Sequence, residues 1–200
     1  MISNHLLAKL DSPSSHPLGL TYQPHFLDPA IQNDLLAVID TQVWSQELKR
    51  RVQHYGFRYD YKARQVDRTM HLGPLPEFVR SILYELQELA EVRSEFDQLI
   101  VNEYLPGQGI SAHIDCEPCF DDCIVSISLG WAYEMEFQHA ATTSTSTLML
   151  APGSLLVLSG LAWYEWTHQI RPRLKDHGVS RRRRVSLTFR KVLLGEPVAR

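Results

Sequence analysis

Two hundred residues, 44% of them apolar and 22% charged with a formal net charge of −3, suffice for one domain with a sizeable core. No run of 18 apolar residues offers a membrane span, and Met1 to Leu10 lacks the charged-then-apolar order of a signal peptide. The three cysteines, all between 116 and 123, do not make a disulfide framework, so a reducing cytoplasm is the expected setting and a monomer the default state.

In chain order, residues 1–19 read as a flexible arm, with a Ser/Pro-rich loop at 11–17. Leu20 to Phe26 is a candidate strand. Asp28-Pro29 marks a helix start, and Ile31, Leu35, Leu36, Ile39 and Val43 follow at helical spacing as one apolar face. Residues 51–61 alternate aromatic and polar or basic groups around Gly56. They read either as a half-buried strand with a solvated basic face or as stacking rings with phosphate-contacting cations. Pro76 opens a second helix that buries Phe78, Val79, Ile82, Leu83, Leu86 and Leu89. Short apolar strands are then expected at 98–105, 111–115, 123–130, 133–138, 146–150, 154–159, 163–170 and 185–193. Turns separate them at Pro106-Gly107, Gly130, Pro152-Gly153 and Gly160. The fold class is therefore α+β, mainly β: a double-stranded β-helix, or jelly roll, with two N-terminal helices packed on one sheet.

Charge is concentrated. Residues 47–68 hold seven Lys/Arg against three acids, and residues 171–191 hold nine against Asp176 alone. Two basic windows on an acidic body suit an anionic partner, although solvated surface segments would look the same.

The stretch from Asn102 to Asp115 carries the first chemical signal. Residues i and i+2 of a strand share a face, so His113 and Asp115 project together. They are two-thirds of the 2-His-1-carboxylate triad that holds non-haem Fe(II) with open positions. His168, 53 residues after Asp115, is the candidate third ligand. On the last strand Arg184, Ser186, Thr188 and Arg190 alternate onto one face. Two inward guanidiniums are costly to bury unpaired, and a dicarboxylate such as 2-oxoglutarate matches the bidentate fork of arginine. Asn102 and Tyr104 offer further donors on a shared face.

These residues together resemble the AlkB-like family of Fe(II)/2-oxoglutarate dioxygenases. The likeness lies in Asn102-X-Tyr104, Pro106-Gly107, His113-X-Asp115, Ile124 to Gly130, Pro152 to Leu156, His168, and Arg184-X-Ser-X-Thr-Phe-Arg190. Val52 to Tyr61, Gly107 to Ile110 and Tyr164 to His168 look most like the dioxygenase domain of the tRNA-modifying branch. The resemblance implies an oxygenase domain over 20–193, with a nucleotide-recognition lid at about 47–75 and a tail at 194–200. It implies Fe(II) on His113, Asp115 and His168, 2-oxoglutarate and O2 as cosubstrates, and Arg184 on the distal carboxylate. Arg190, Asn102 and Tyr104 would orient the oxo-acid end. Ser186 stands where many members have Asn, beside the cosubstrate. The expected substrate is a base of single-stranded or flipped nucleic acid, met by Tyr55, Phe57, Arg58, Tyr59 and Tyr61, with Glu117 as a candidate reader of a base edge or an exposed loop acid. The reaction would be hydroxylation or oxidative demethylation, in DNA/RNA repair or tRNA modification.

Three other readings remain at this level. His113, Cys116, Cys119 and Cys123 have spacings that suit a zinc or iron–sulfur staple, which would make a binding module. The same iron chemistry can act on a protein side chain or a small metabolite. A non-catalytic reader would keep the fold without turnover.

Overall fold

A computed structural model describes residues 16–195. The arm up to residue 15 and the tail from 196 lie outside the described residues.

A six-stranded antiparallel sheet takes strand β1 (Leu20–Gln23), β8 (Leu155–Ser159), β5 (Phe120–Leu129), β12 (Arg184–Val192), β3 (Gln98–Tyr104) and β2 (Val52–Tyr55), in that order. A four-stranded sheet takes β4 (Ile110–His113), β9 (Trp166–Ile170), β6 (Tyr133–His139) and β7 (Thr145–Leu150). The strands β10 (Lys175–Asp176) and β11 (Val179–Ser180) form a separate two-stranded antiparallel ribbon. This is the expected jelly roll. Helices α1 (Pro29–Thr41) and α2 (Arg80–Gln87) precede most of the strands.

The period-2 pattern of β12 explains the layers. Val185, Leu187 and Phe189 face outward and are wholly buried against Leu35 and Ile39 of α1 and Ile82 and Leu86 of α2. Arg184, Ser186, Thr188 and Arg190 face inward, toward the smaller sheet. A second apolar layer fills the space between the sheets, where Tyr133 and Phe137 of β6 and Leu150 of β7 meet Leu156 and Leu158 of β8. The helices thus cover one face of the large sheet, and the other face is free to build a site.

Several details differ from expectation. Val43 lies beyond the end of α1 and is 91% exposed, and Ile31 is also exposed. Asp28 occupies the N-cap but makes no side-chain capping bond; Pro29 follows at the first turn. Pro76 caps a short 3-10 turn (Glu77–Val79) that runs into α2. The expected strand over 163–170 begins instead with a helical turn, α3 (Leu161–Tyr164), which tucks Ala162 and Trp163 into the core. The aromatic segment is a strand only to Tyr55. Gly56 then adopts φ 73°, and a Cβ there would lie 1.8 Å from the Asp97 carbonyl oxygen. Glycine is required there, and it breaks the alternation.

Candidate active site

The inner face of the large sheet and the strands β4, β6 and β9 enclose a cavity of ≈ 620 Å³. Antiparallel pairing sets His113 at the end of β4 directly opposite His168 on β9, with ring centroids 4.3 Å apart. Asp115 follows two residues beyond His113. The ligand atoms of His113, Asp115 and His168 all lie within 4.8 Å of one another, the grouping of metal-ligand type among the described residues.

Two of the three candidate ligands are oriented by a neighbour. His113 Nδ1 lies 2.8 Å from the Ser111 carbonyl oxygen; as donor there it leaves Nε2 for a metal. Asp115 Oδ1 accepts two bonds from Arg190, at 3.0 and 2.7 Å. Burial raises the Asp115 carboxyl, but the Arg190 charge, ahead of those of the histidines, brings it net below the ordinary carboxylate range. Its Oδ2 stands 3.5 Å from His168 Nε2 and is buried without a hydrogen bond. His168 is pushed down to about 3, first by burial and then by His113. The contact is therefore not an ion pair at neutral pH. It sets a carboxylate beside a neutral imidazole, the forms that bind a metal ion.

Arg184 is 1% exposed. One amino nitrogen donates to Ser128 Oγ at 2.8 Å, its Nε has no partner, and its guanidinium lies 5.2 Å from the centroid of the Tyr104 ring. Among the described residues no carboxylate pairs with it. Burial lowers its pKa from the ordinary arginine value. Asn102 faces the same cavity, with Oδ1 accepting from Arg50 Nε at 3.0 Å, so the amide NH2 is left for another acceptor. Ser186 is paired in register with both Asn102 and Ser128 and lines the cavity between them. A bare carboxylate oxygen beside two imidazoles suits a divalent metal, and a buried arginine without an acid suits a carboxylate ligand. The donor set fits Fe(II) with 2-oxoglutarate. Arg190 lines the same cavity, with its Nε and one amino nitrogen on Asp115.

At the mouth, Tyr59 and Tyr61 line the cavity together with Lys49, Arg50 and Arg64. Tyr61 is raised to about 12 by burial, and its hydroxyl is buried without a partner. Arg64, at φ 51°, reaches the Ile114 carbonyl at 3.2 Å. The other aromatic candidates lie elsewhere. Tyr55 is on the opposite face of β2, edge-on to Phe78 in the helical layer. Phe57 packs beneath the lid with Cys116 and Phe120. Arg58 is an exposed partner of Glu47, and Glu117 is exposed outside the cavity lining. Gly56 explains the scatter, because the rings after it no longer follow the phase of Tyr55.

Two further expectations are corrected. Cys116 and Cys119 form a disulfide, buried beside Phe57 and Trp163. Cys123 faces the helical layer, its thiol pushed up to about 12 by burial. No Cys/His metal staple forms from them among the described residues. The second basic window is largely consumed within the fold. Arg171 pairs with Glu136, Arg173 with Glu134 and Asp176, and Arg181 with Asp176. The first window keeps three of its seven cations, Lys49, Arg50 and Arg64, at the mouth. Sequence reasoning counted Lys49, Arg50 and Arg64 as basic without placing them in the site. The available signal was that Arg50 lies two residues before Val52, in phase with the inward face.

The sequence profile of the 2OG-Fe(II) oxygenase superfamily matches residues 19–190. The chain is 40% identical over 210 residues to an Arabidopsis thaliana protein named alkylated DNA repair protein ALKBH8 homolog, covering 92% of this chain and 60% of the relative. It is 44% identical over 137 residues to the Mus musculus tRNA (carboxymethyluridine(34)-5-O)-methyltransferase ALKBH8, covering 68% and 20% respectively. It thus spans less than two thirds of either relative. The solved structure of OsALKBH1 superposes with a TM-score of 0.65 at 19% identity, covering 88% of this chain and 97% of that one, a likeness of fold. No helix among the described residues is long and apolar enough to cross a membrane. The profile match takes in strands of both sheets and every member of the His-Asp-His cluster: the chain belongs to the 2OG-Fe(II) oxygenase superfamily.

Proposed function

We propose that the chain is a dioxygenase that oxidises a C–H bond on a base of single-stranded or flipped-out nucleic acid, with Fe(II), 2-oxoglutarate and O2. The carrying observation is the bare, buried Asp115 Oδ2 beside His168, in a cavity that also holds the acid-free Arg184. His113, Asp115 and His168 would hold the iron, and Arg184 the distal carboxylate of 2-oxoglutarate. The bound pair would supply the oxidising chemistry: oxidative decarboxylation of 2-oxoglutarate to succinate and CO2, which takes up one oxygen atom of O2 and delivers the other to a substrate C–H bond. An N-methyl group hydroxylated this way loses formaldehyde, whereas another carbon keeps an alcohol.

The protein's own part is to position and to exclude water. Arg190 holds Asp115 with one oxygen turned to the metal side. Arg50 holds the Asn102 oxygen, so the amide NH2 would be left to donate to the oxo-acid end of the cosubstrate. Ser186 fills the place between Asn102 and Ser128, and Tyr104 underlies Arg184. Tyr59 and Tyr61, 5.1 Å apart and edge to face, offer a base an aromatic wall, and the Tyr61 hydroxyl offers it a hydrogen bond. Residues 20–193 act as one domain in this reading, with the lid in 47–75. Nucleic acid is favoured as substrate by three cations at the mouth and by the names of the relatives, which refer to tRNA and to DNA repair.

The test is turnover with Fe(II) and 2-oxoglutarate on methylated DNA, methylated RNA and tRNA pools, read by succinate formation and nucleoside mass spectrometry. Succinate coupled to loss or gain of one nucleoside is expected. No succinate and no nucleoside change in any pool would overturn the reading.

A further inference from the structure

A second, open cavity of ≈ 730 Å³ adjoins the first, and the two share Leu48 and Lys49 as a common rim. The rim is pinned: Gln108 Nε2 donates to the Lys49 carbonyl at 2.9 Å, and Gln108 Oε1 accepts from the Leu105 amide at 2.9 Å. The two arginines that follow turn to opposite sides. Arg50 reaches inward to Asn102, and Arg51 reaches outward to Glu103 with two bonds of 2.5 and 2.9 Å. This matches the alternation of β3, in which Asn102 faces the active site and Glu103 the outer cavity.

The outer wall is a ladder of charge. Glu103 also accepts from Arg183 at 2.6 Å, and Arg183 in turn pairs with Asp40. Two arginines are thus matched by two acids in a fixed wall. Lys49 is different: it is exposed, and no acid pairs with its ammonium group among the described residues. A single unmatched cation stands on the rim between two cavities.

We infer that the outer cavity is a subsite for the nucleotide adjoining the oxidised one, with the linking phosphate held at Lys49. This rests on the nucleic-acid reading above. A base seated in the inner cavity has to send its sugar-phosphate chain out across the mouth, and Leu48–Lys49 is the mouth's edge on the outer-cavity side. The outer volume lies within the range of pockets that hold small organic ligands. Leu48 and Leu105 offer apolar contact for a base face, and Gln46 an amide for its edge. One free ammonium suits one phosphate, and pre-paired arginines need no reordering when the strand binds.

The test uses the full chain and a fluorescein-labelled single-stranded RNA nonamer of mixed sequence. Anisotropy gives Kd at several salt concentrations for the wild type, Lys49→Gln and Gln46→Glu. Both positions are exposed, so folding is kept. Lys49→Gln is expected to weaken binding about fivefold and to reduce the slope of log K against log salt by about 0.7, one phosphate contact on a single strand. Gln46→Glu, which touches the outer cavity and not the inner one, is expected to weaken binding more at low salt than at high salt. If the wild type binds the RNA and both variants bind it with the same affinity and slope, the outer subsite is overturned and the oxygenase reading stands. If the wild type binds neither this RNA nor a single-stranded DNA of the same length, the nucleic-acid reading fails and this inference fails with it; if it binds only the DNA, the two variants are read on that strand.

Discussion

Arg190 covers one oxygen of Asp115 and leaves the other bare. Its Nε and an amino nitrogen both donate to Oδ1, at 3.0 and 2.7 Å, while Oδ2 faces His168 Nε2 at 3.5 Å without a hydrogen bond. The carboxylate is therefore fixed in rotation before any metal arrives. Arg190→Met removes both donors and frees that rotation. Metal affinity should fall about 10–100-fold, as for other groups that orient a ligand. Anaerobic titration with Fe(II), or with Mn(II) as a stable substitute, reads this directly. An unchanged affinity would mean that Arg190 serves something other than Asp115. His168→Ala, which removes one member of the proposed metal-binding cluster outright, sets the scale for complete loss.

Arg184 predicts a split between binding and turnover. It is buried, holds Ser128 with one nitrogen and has no acid partner among the described residues. Arg184→Lys keeps a charge but loses the fork that meets a carboxylate bidentately. Hydrogen bonds to charged groups contribute roughly 1.5–3 kcal/mol, so KM for 2-oxoglutarate should rise about 10–100-fold. The value of kcat at saturating cosubstrate should change much less. Initial rates over a 2-oxoglutarate series decide it. A fall in kcat with KM unmoved would place the residue with the nucleic-acid substrate instead.

Arg50 should show the same split on a smaller scale. Its Nε fixes which end of the Asn102 amide faces the cavity. Arg50→Ala lets that amide flip, which costs about one hydrogen bond, or roughly a fivefold rise in KM for 2-oxoglutarate. Asn102→Ala should give a similar rise. The double variant should be little worse than either alone, because both act through one contact. Full additivity would show that Arg50 touches the cosubstrate by itself.

How much of this was legible in the sequence varies with the distance of the partner. The inward row on β12 could be read because strand period alone decides it, and Arg184 and Ser186 line the cavity as that period requires. The cluster was legible as residue types, but the opposition of His113 and His168 depends on β4 pairing with β9 across a long separation. No local pattern shows that Arg190 is taken by Asp115, Arg173 by Glu134, or Arg183 by Glu103. Those pairings exist only after distant strands meet. Tyr55 was misplaced for a local reason: one glycine at positive φ resets the phase, and an alternating pattern counted through it assigns every ring to the same face. The helical turn at Leu161–Tyr164 was hidden because its apolar residues are the same ones a buried strand would carry.

Tyr61 gives a prediction with opposite signs in stability and binding. Its hydroxyl is buried and lacks a partner, and the residue lines the cavity. A buried hydroxyl without a partner is destabilising. Tyr61→Phe should therefore leave the midpoint of denaturant unfolding unchanged or slightly higher. Affinity for a nucleic-acid substrate should drop about fivefold, the loss of one hydrogen bond. A variant that loses stability and binding together would mark Tyr61 as a packing residue of the lid.

His54 sets a pH limit on the lid that is independent of the metal. It lies on β2 with 7% of its side chain exposed, its Nε2 3.1 Å from Glu47 and its ring 5.7 Å from Tyr61. Burial lowers its pKa from the ordinary histidine value, and Glu47 offsets that only in part, with Arg58 and Arg190 adding to the depression. The folded protein therefore favours the neutral ring, which donates to Glu47 without forming an ion pair. The unfolded chain binds the proton more readily. As pH falls below about 6.5 the unfolded state takes up protons that the native state refuses, so stability declines. The loss grows until pH passes the depressed native value and then levels off. Above pH 7 the group contributes no slope. Urea unfolding of the metal-free protein at pH 7.5 and 5.5 should show a smaller decline for His54→Gln than for the wild type, since glutamine can still donate to Glu47 but does not titrate. Equal declines in the two proteins would assign the acid sensitivity to other groups.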